Sequence, residues 1–208
     1  MNYLETTDYL TYGLDAATDP SWVTAASAII DAHCRRATLG VNRYEERLKM
    51  PAEMNSVRLS YLPLVTVAPA TTPIVSLQGR YGIPRRGECA IPEMSMEFAL
   101  VFGLPGSWTP IDPASVDIWA ASGELTFPVN ALGLSFNEVD VVYNAGWSTI
   151  PTPVQVACAQ IVKNAQATPA LNVKSGKLDQ MRLEYFADNL VDETVKSLLA
   201  PFVARKNG

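Results

Sequence analysis

The sequence predicts an α+β fold: a small helical bundle with an antiparallel β-layer, a β-rich insertion, between the first and the later helices. Three observations predict it. Two stretches, 19–40 and 152–166, carry apolar residues at helical spacing behind helix-start signals. Between Val57 and about Tyr143 the pattern shifts to period two, punctuated by prolines and glycines. A shorter helical pattern then returns at 191–203. The division that follows is an N-terminal helical part at 1–56, a β-rich part at 57–147, and C-terminal helices with a docking tail at 148–208. Within the β-rich part, 79–113 reads as inserted loops and strands. A chain of 208 residues fits one compact domain carrying such an insertion.

Taken in order, "TDYLTYGLD" reads as a helical turn or two ended by Gly13. In "DPSWVTAASAIIDAHCRRATLG", Asp19 can cap a helix with Pro20 at its first position. Trp22, Ala26, Ile29, Ile30, His33 and Ala37 then form one apolar face, with Arg35 and Arg36 at the negative end of the dipole and Gly40 as the stop. "VRLSYLPLVTV" and "IVSLQGRYG" are β-rich, Pro63 marking an edge or a break. "MSMEFALVF" sets Met94, Met96, Phe98, Leu100 and Phe102 on one face. "VDIWAASGELTF" reads as a hairpin turning at Ser122-Gly123, and "FNEVDVVY" as a strand with Val139, Val141 and Tyr143 alternating.

The next helix starts at Thr152-Pro153, with Gln155 completing a Thr-x-x-Gln capping box. Val154, Ala157, Cys158, Ile161, Val162 and Ala165 give it an apolar stripe, inside which Cys158 reads as a small buried hydrophobe. "TPALNVKSGKLD" is polar and reads as a hinge or disordered loop. "QMRLEYFA" reads as a short strand, and "VDETVKSLLAPFV" as a last helix ending before Pro201.

The totals exclude several functions. Net charge is −5, which argues against a dedicated nucleic-acid clamp. Three scattered cysteines make neither a disulfide framework nor a metal cluster, and with a single histidine a zinc site would need distant ligands. No cofactor or metal is expected. "MNYLETTDYL" shows no secretory leader and no long apolar run predicts a membrane span, so the expectation is a soluble chain made in a reducing compartment. Charged residues are only 18% of the chain, a hint that partners cover part of its surface.

No constellation points to catalysis. His33 and Cys34 are adjacent on a helix and point about 100° apart, so they form no dyad. The carboxylates are dispersed, "GLPGSW" and "GRYGIPRRG" match no phosphate-cradling loop, and Ser148 has no glycine-framed elbow. The basic cluster Arg80, Arg85 and Arg86 is a solvated loop on the plain reading and a partner or DNA contact on the sharper one.

The capped helix "ASAIIDAHCRR", the strands "YLPLVTV" with a restart at Pro73-Ile74-Val75, the "ASGELTF" hairpin, the joint "VVYNAGWSTIPTPVQVACAQIV" and the tail "KSGKLDQMRLEYF" with "VKSLLAPFV" occur in an order that resembles the head–tail connector (adaptor, or head-completion) family of long-tailed bacteriophages. Simpler members have a shorter β region, and 79–113 departs from them. The resemblance implies a structural, non-enzymatic protein of the virion neck, made in the host cytoplasm. It would assemble as a ring of about twelve copies beneath the portal, with a stopper or tail-completion protein docking below and DNA passing without sequence-specific binding. A neutral or acidic lumen suits that passage, since a basic one would grip phosphates. The tail strand "LDQMRLEYF" would add to a sheet edge of the portal. Tyr185, Phe186, Leu199 and Phe202 are accordingly expected to serve attachment more than folding, and truncation after about Ala170 to leave a folded subunit. Two alternatives stay open: a neck stopper or tail terminator, which tends to be more fully β, and a carbohydrate-binding β-domain using Trp108, Trp119 and Trp147.

Overall fold

Asp19 sits in extended backbone and its carboxylate accepts the Ser21 N–H at 2.8 Å, which starts α1 (Pro20–Cys34). The computed structural model describes residues 1–50, 54–81, 106–129, 135–167, 175–178, 181–184 and 190–205. The fold is α+β, and the chain divides into two compact units. One comprises Met1–Gly40 and Ser148–Val203, the other Val41–Trp147 and the last residues 204–208. Where three consecutive parts, 1–56, 57–147 and 148–208, were expected, the helical unit's first segment ends at Gly40 and the residues from Val41 cluster with the sheets.

Within the helical unit, α1 stops earlier than Gly40. Arg35 adopts a left-handed conformation (φ 55°), and the Arg35 and Arg36 N–H groups bond back to Ala32 and Asp31. The buried face is Val23, Ala26, Ser27, Ile30 and Cys34, while Trp22 stays 40% exposed and Ile29 and His33 are half-buried. The expected stripe was therefore rotated toward the bulkier residues. Ser27 can lie inside because its hydroxyl donates to the Val23 carbonyl and accepts the Tyr3 N–H.

α2 (Thr152–Ala167) buries Val154, Ala157, Cys158, Ala159, Ile161 and Val162, close to the predicted stripe; Ala165 is only half-buried. Its start differs from the predicted box. The Pro151 carbonyl accepts the N–H groups of Val154 and Gln155, so Thr152 is already helical, and the Gln155 side-chain Oε1 accepts the Tyr12 hydroxyl at 2.6 Å. α3 (Glu193–Leu199) is capped by Asp192, whose carboxylate takes the Val195 N–H at 2.7 Å. Asn164 of α2 donates to Asp192 and to the Leu190 carbonyl, tying the two helices.

The second unit holds two antiparallel sheets. The larger has the order β1-β7-β3-β4, with β1 at Asn42–Lys49, β3 at Ile74–Arg80, β4 at Trp108–Pro110 and β7 at Glu138–Ala145. β7 alternates as predicted, burying Val139, Val141, Tyr143 and Ala145. β1 was assigned no strand from sequence. Only Tyr44 and Leu48 are buried along it, because the inward position between them is Glu46. Glu46 is accommodated by accepting the Ser60 N–H and bonding the Tyr143 hydroxyl, which in turn accepts the Tyr61 N–H.

The smaller sheet has the order β2-β6-β5: Ser56–Arg58, Glu124–Thr126 and Asp117–Trp119. Of "VRLSYLPLVTV" only the start is a strand; Leu64 adds a single bridge to Ala145. The β5–β6 hairpin turns at Ser122-Gly123 as predicted, the Trp119 carbonyl accepting both N–H groups. Gly123 has φ +69°, and a Cβ there would sit 2.7 Å from Leu62. β4 pairs back onto β3, and the Gly106 N–H reaches the Tyr81 carbonyl, so the chain leaves and re-enters the sheet at adjacent points. Met94, Met96, Phe98, Leu100 and Phe102 lie outside the described residues.

A separate two-stranded ribbon pairs β8 (Ser175–Leu178) with β9 (Met181–Glu184). The first of these falls in the stretch expected to be hinge or disordered loop, and the second in the short strand expected to add to a sheet edge of another chain. Leu178 faces Met181 in the register, which leaves a two-residue connection, a length that favours a hairpin over a free strand. Among the described residues no helix is long and apolar enough to cross a membrane.

Candidate functional site

The β7-to-α2 joint is the natural place to look for chemistry in a strand-to-helix connection. At its strand end the Asn144 N–H bonds the Pro73 carbonyl, the Gly146 N–H bonds the Pro63 carbonyl, and the Val65 N–H donates to the Asn144 carbonyl. Gly146 turns the chain at φ 131°. Ser148 and Thr149 are exposed, and among the described residues no acidic or basic side chain is bonded to them.

Burial holds the two described cysteines in the thiol form. Cys34 and Cys158 are fully buried and burial pushes both thiols up to about 11. Cys158 lies 3.9 Å from the Ser27 hydroxyl. Tyr3 is buried with its hydroxyl donating to the Asp31 carboxylate and accepting the Leu39 N–H at 2.7 Å. Burial raises the Asp31 carboxyl above the usual range, opposed by the Tyr3 bond. No group of three or more His, Cys, Asp or Glu among the described residues is placed to hold a metal ion.

The best-organised charged cluster lies on the exposed face of the four-stranded sheet. In the register Lys49, Glu138, Arg80 and Trp108 form one row across β1, β7, β3 and β4. The Glu138 carboxylate takes Arg47 at 2.6 Å and Arg80 at 2.8 Å, and both guanidiniums lie 5.2 Å from the centre of the Trp108 ring. Arg47, followed by its own charge and then Arg80, draws the Glu138 carboxyl below the usual range. Sequence reasoning missed this cluster. Arg47 and Glu138 stand 91 positions apart, and only strand register brings them together.

Of the residues nominated from sequence, Arg80 is therefore no free cation; it is shared between Glu138 and Trp108. Arg85, Arg86, Tyr185 and Phe186 lie outside the described residues. Leu199 is fully buried and Phe202 is 9% exposed, and the Phe202 carbonyl accepts Arg36 Nε at 3.0 Å. Both were expected to serve attachment more than folding; within the chain itself their side chains are buried. The three tryptophans offered for sugar binding stand on different elements. Trp108 is engaged by arginines on β4, Trp119 is 69% exposed on β5, and half-buried Trp147 follows β7. Compared with known proteins, the chain matches no family model and no curated protein.

Proposed function

We propose that this chain is a structural subunit of a bacteriophage neck, a head–tail connector that forms a ring below the portal and lets DNA pass. The observation that carries the reading is the joint of β7 and α2. The strand and the helix each turn an apolar face into their own unit, and the Asn144 and Gly146 N–H groups at the strand's end are bonded to the Pro73 and Pro63 carbonyls, a construction suited to architecture. The order of elements around it also supports the reading: capped helix, antiparallel layer, second helix, ribbon, terminal helix.

In a closed ring each copy offers one patch and accepts another, so two surfaces per chain become buried, each on the order of 800 Å². The portal above, a stopper or tail-completion protein below and the passing DNA complete the set of partners. Tyr185 and Phe186 are the proposed portal contacts, following the ribbon strand β9. On the outer face of the four-stranded sheet Arg47 and Arg80 share the Glu138 carboxylate and lie over Trp108, so their charge is partly offset, which suits a surface that DNA slides past.

The test is electron microscopy of the purified chain mixed with its portal oligomer. A ring bound beneath the portal is expected. A chain that neither rings nor binds, or one found nowhere in the neck of virions, sinks the proposal. Replacing Tyr185 and Phe186 by serine is expected to leave the thermal midpoint unchanged while abolishing portal binding.

A further inference from the structure

Trp119 ends the edge strand of the smaller sheet and is 69% exposed, the largest side chain the chain leaves open to this degree. Its support is rigid. The Trp119 carbonyl holds the Ser122 and Gly123 N–H groups, and the Leu59 N–H clamps the Gly123 carbonyl at 2.9 Å. In the register Trp119 faces Glu124, and Asp117 lies two residues back on the same face. The only described cation in this row is Arg58, 3.7 Å from Glu124. The ring thus stands beside two carboxylates and one guanidinium, with no aromatic or cationic group over it among the described residues.

The same fold shows how it treats an edge-strand tryptophan in a comparable row. Trp108 ends the row of the larger sheet, next to Arg80 and one strand beyond Glu138, and there two arginines of the chain itself, both paired with Glu138, cover the ring. We propose that Trp119, with Asp117 and Glu124, is a docking site for an arginine side chain of a partner protein: the guanidinium lies over the ring and the carboxylates take its N–H groups. A planar cation suits this pairing of π-face and carboxylate better than a compact ammonium does. An exposed tryptophan on a rigid base is also the residue type that dominates interface energies. This site does not depend on the connector reading.

The test is nuclear magnetic resonance of the full-length ¹⁵N-labelled chain, with the Trp119 indole N–H assigned by Trp119→Phe. The probes are a capped Gly-Arg-Gly peptide and its citrulline counterpart. The arginine peptide is expected to move the Trp119 resonance saturably while the neutral citrulline peptide does not. In an Asp117→Asn, Glu124→Gln variant of unchanged circular dichroism, the arginine peptide is expected to bind roughly two- to fivefold more weakly at low salt. Equal movement by both peptides, or none by either, overturns the proposal. So does movement of the same resonance by N-acetylglucosamine with none by the arginine peptide, which would make Trp119 a sugar platform.

Discussion

Leu199 shows how a single side chain fixes the behaviour of the C-terminal region. It is fully buried on a helix of only seven residues, so α3 is held by its packing and cap more than by its own propensity. Leu199→Ala is expected to destabilise the chain by about 2–4 kcal/mol, read by urea denaturation. The buried thiols make a second residue-scale prediction. Cys34 and Cys158 are pushed up to about 11 by burial, so iodoacetamide at pH 8 should modify them slowly in the native chain and rapidly in urea, as read by peptide mass spectrometry. Asp192 gives the pH dependence. Hydrogen bonds from the Val195 N–H and then from Asn164 hold its folded-state carboxyl below the usual range. A depressed carboxyl contributes stability that is present above the unfolded value near 4 and lost as pH falls through the folded value. Asp31, raised by burial, acts in the opposite sense and gains as pH falls. Asp192→Asn should therefore lower stability at pH 7 by about 1 kcal/mol and differ little from the parent at pH 2.5.

Between elements, the tightest fit lies under β3. Gly79 faces Val139 across the ladder, and a Cβ at Gly79 would stand 2.6 Å from the Phe136 ring. Phe136 is itself packed on Tyr81, with ring centres 4.6 Å apart, so it has little room to yield. Gly79→Ala is expected to cost about 1–3 kcal/mol, measured as a shift of the denaturation midpoint at unchanged slope. The Trp108 row belongs to this scale too. Removing its carboxylate by Glu138→Gln leaves Arg47 and Arg80 facing one another, yet both are substantially solvated, so the loss should stay below about 1 kcal/mol.

At the level of the chain, residues 190–203 are part of the helical unit. Val195, Leu199 and Phe202 are buried, Asn164 bonds Asp192, and Arg36 bonds the Phe202 carbonyl. Truncation after Ala170, expected from sequence to leave a folded subunit, should instead strip partners from α2 and lower the thermal midpoint markedly. Circular dichroism melting of the truncated chain checks this. The serine replacements at Tyr185 and Phe186 separate attachment from folding in a way the truncation does not.

The amino-acid pattern alone determined the elements whose periodicity is unbroken: α2, whose stripe from Val154 to Val162 needs only helical geometry, β7, whose inward residues alternate without exception, and the hairpin around Gly123. It also determined the α+β class, since helical and strand patterns occupy separate stretches. The tertiary structure alone decided what depends on a distant partner. β1 was illegible because Glu46 points inward, and an inward carboxylate is tolerable only when Ser60 and Tyr143, far along the chain, supply its hydrogen bonds. The α1 face was misread because Ser27 looks polar until Tyr3 and Val23 satisfy it. The Arg47–Glu138–Arg80–Trp108 cluster and the burial of Leu199 were invisible for the same reason: a periodic pattern reports which face turns inward, but only long-range pairing decides which groups meet there.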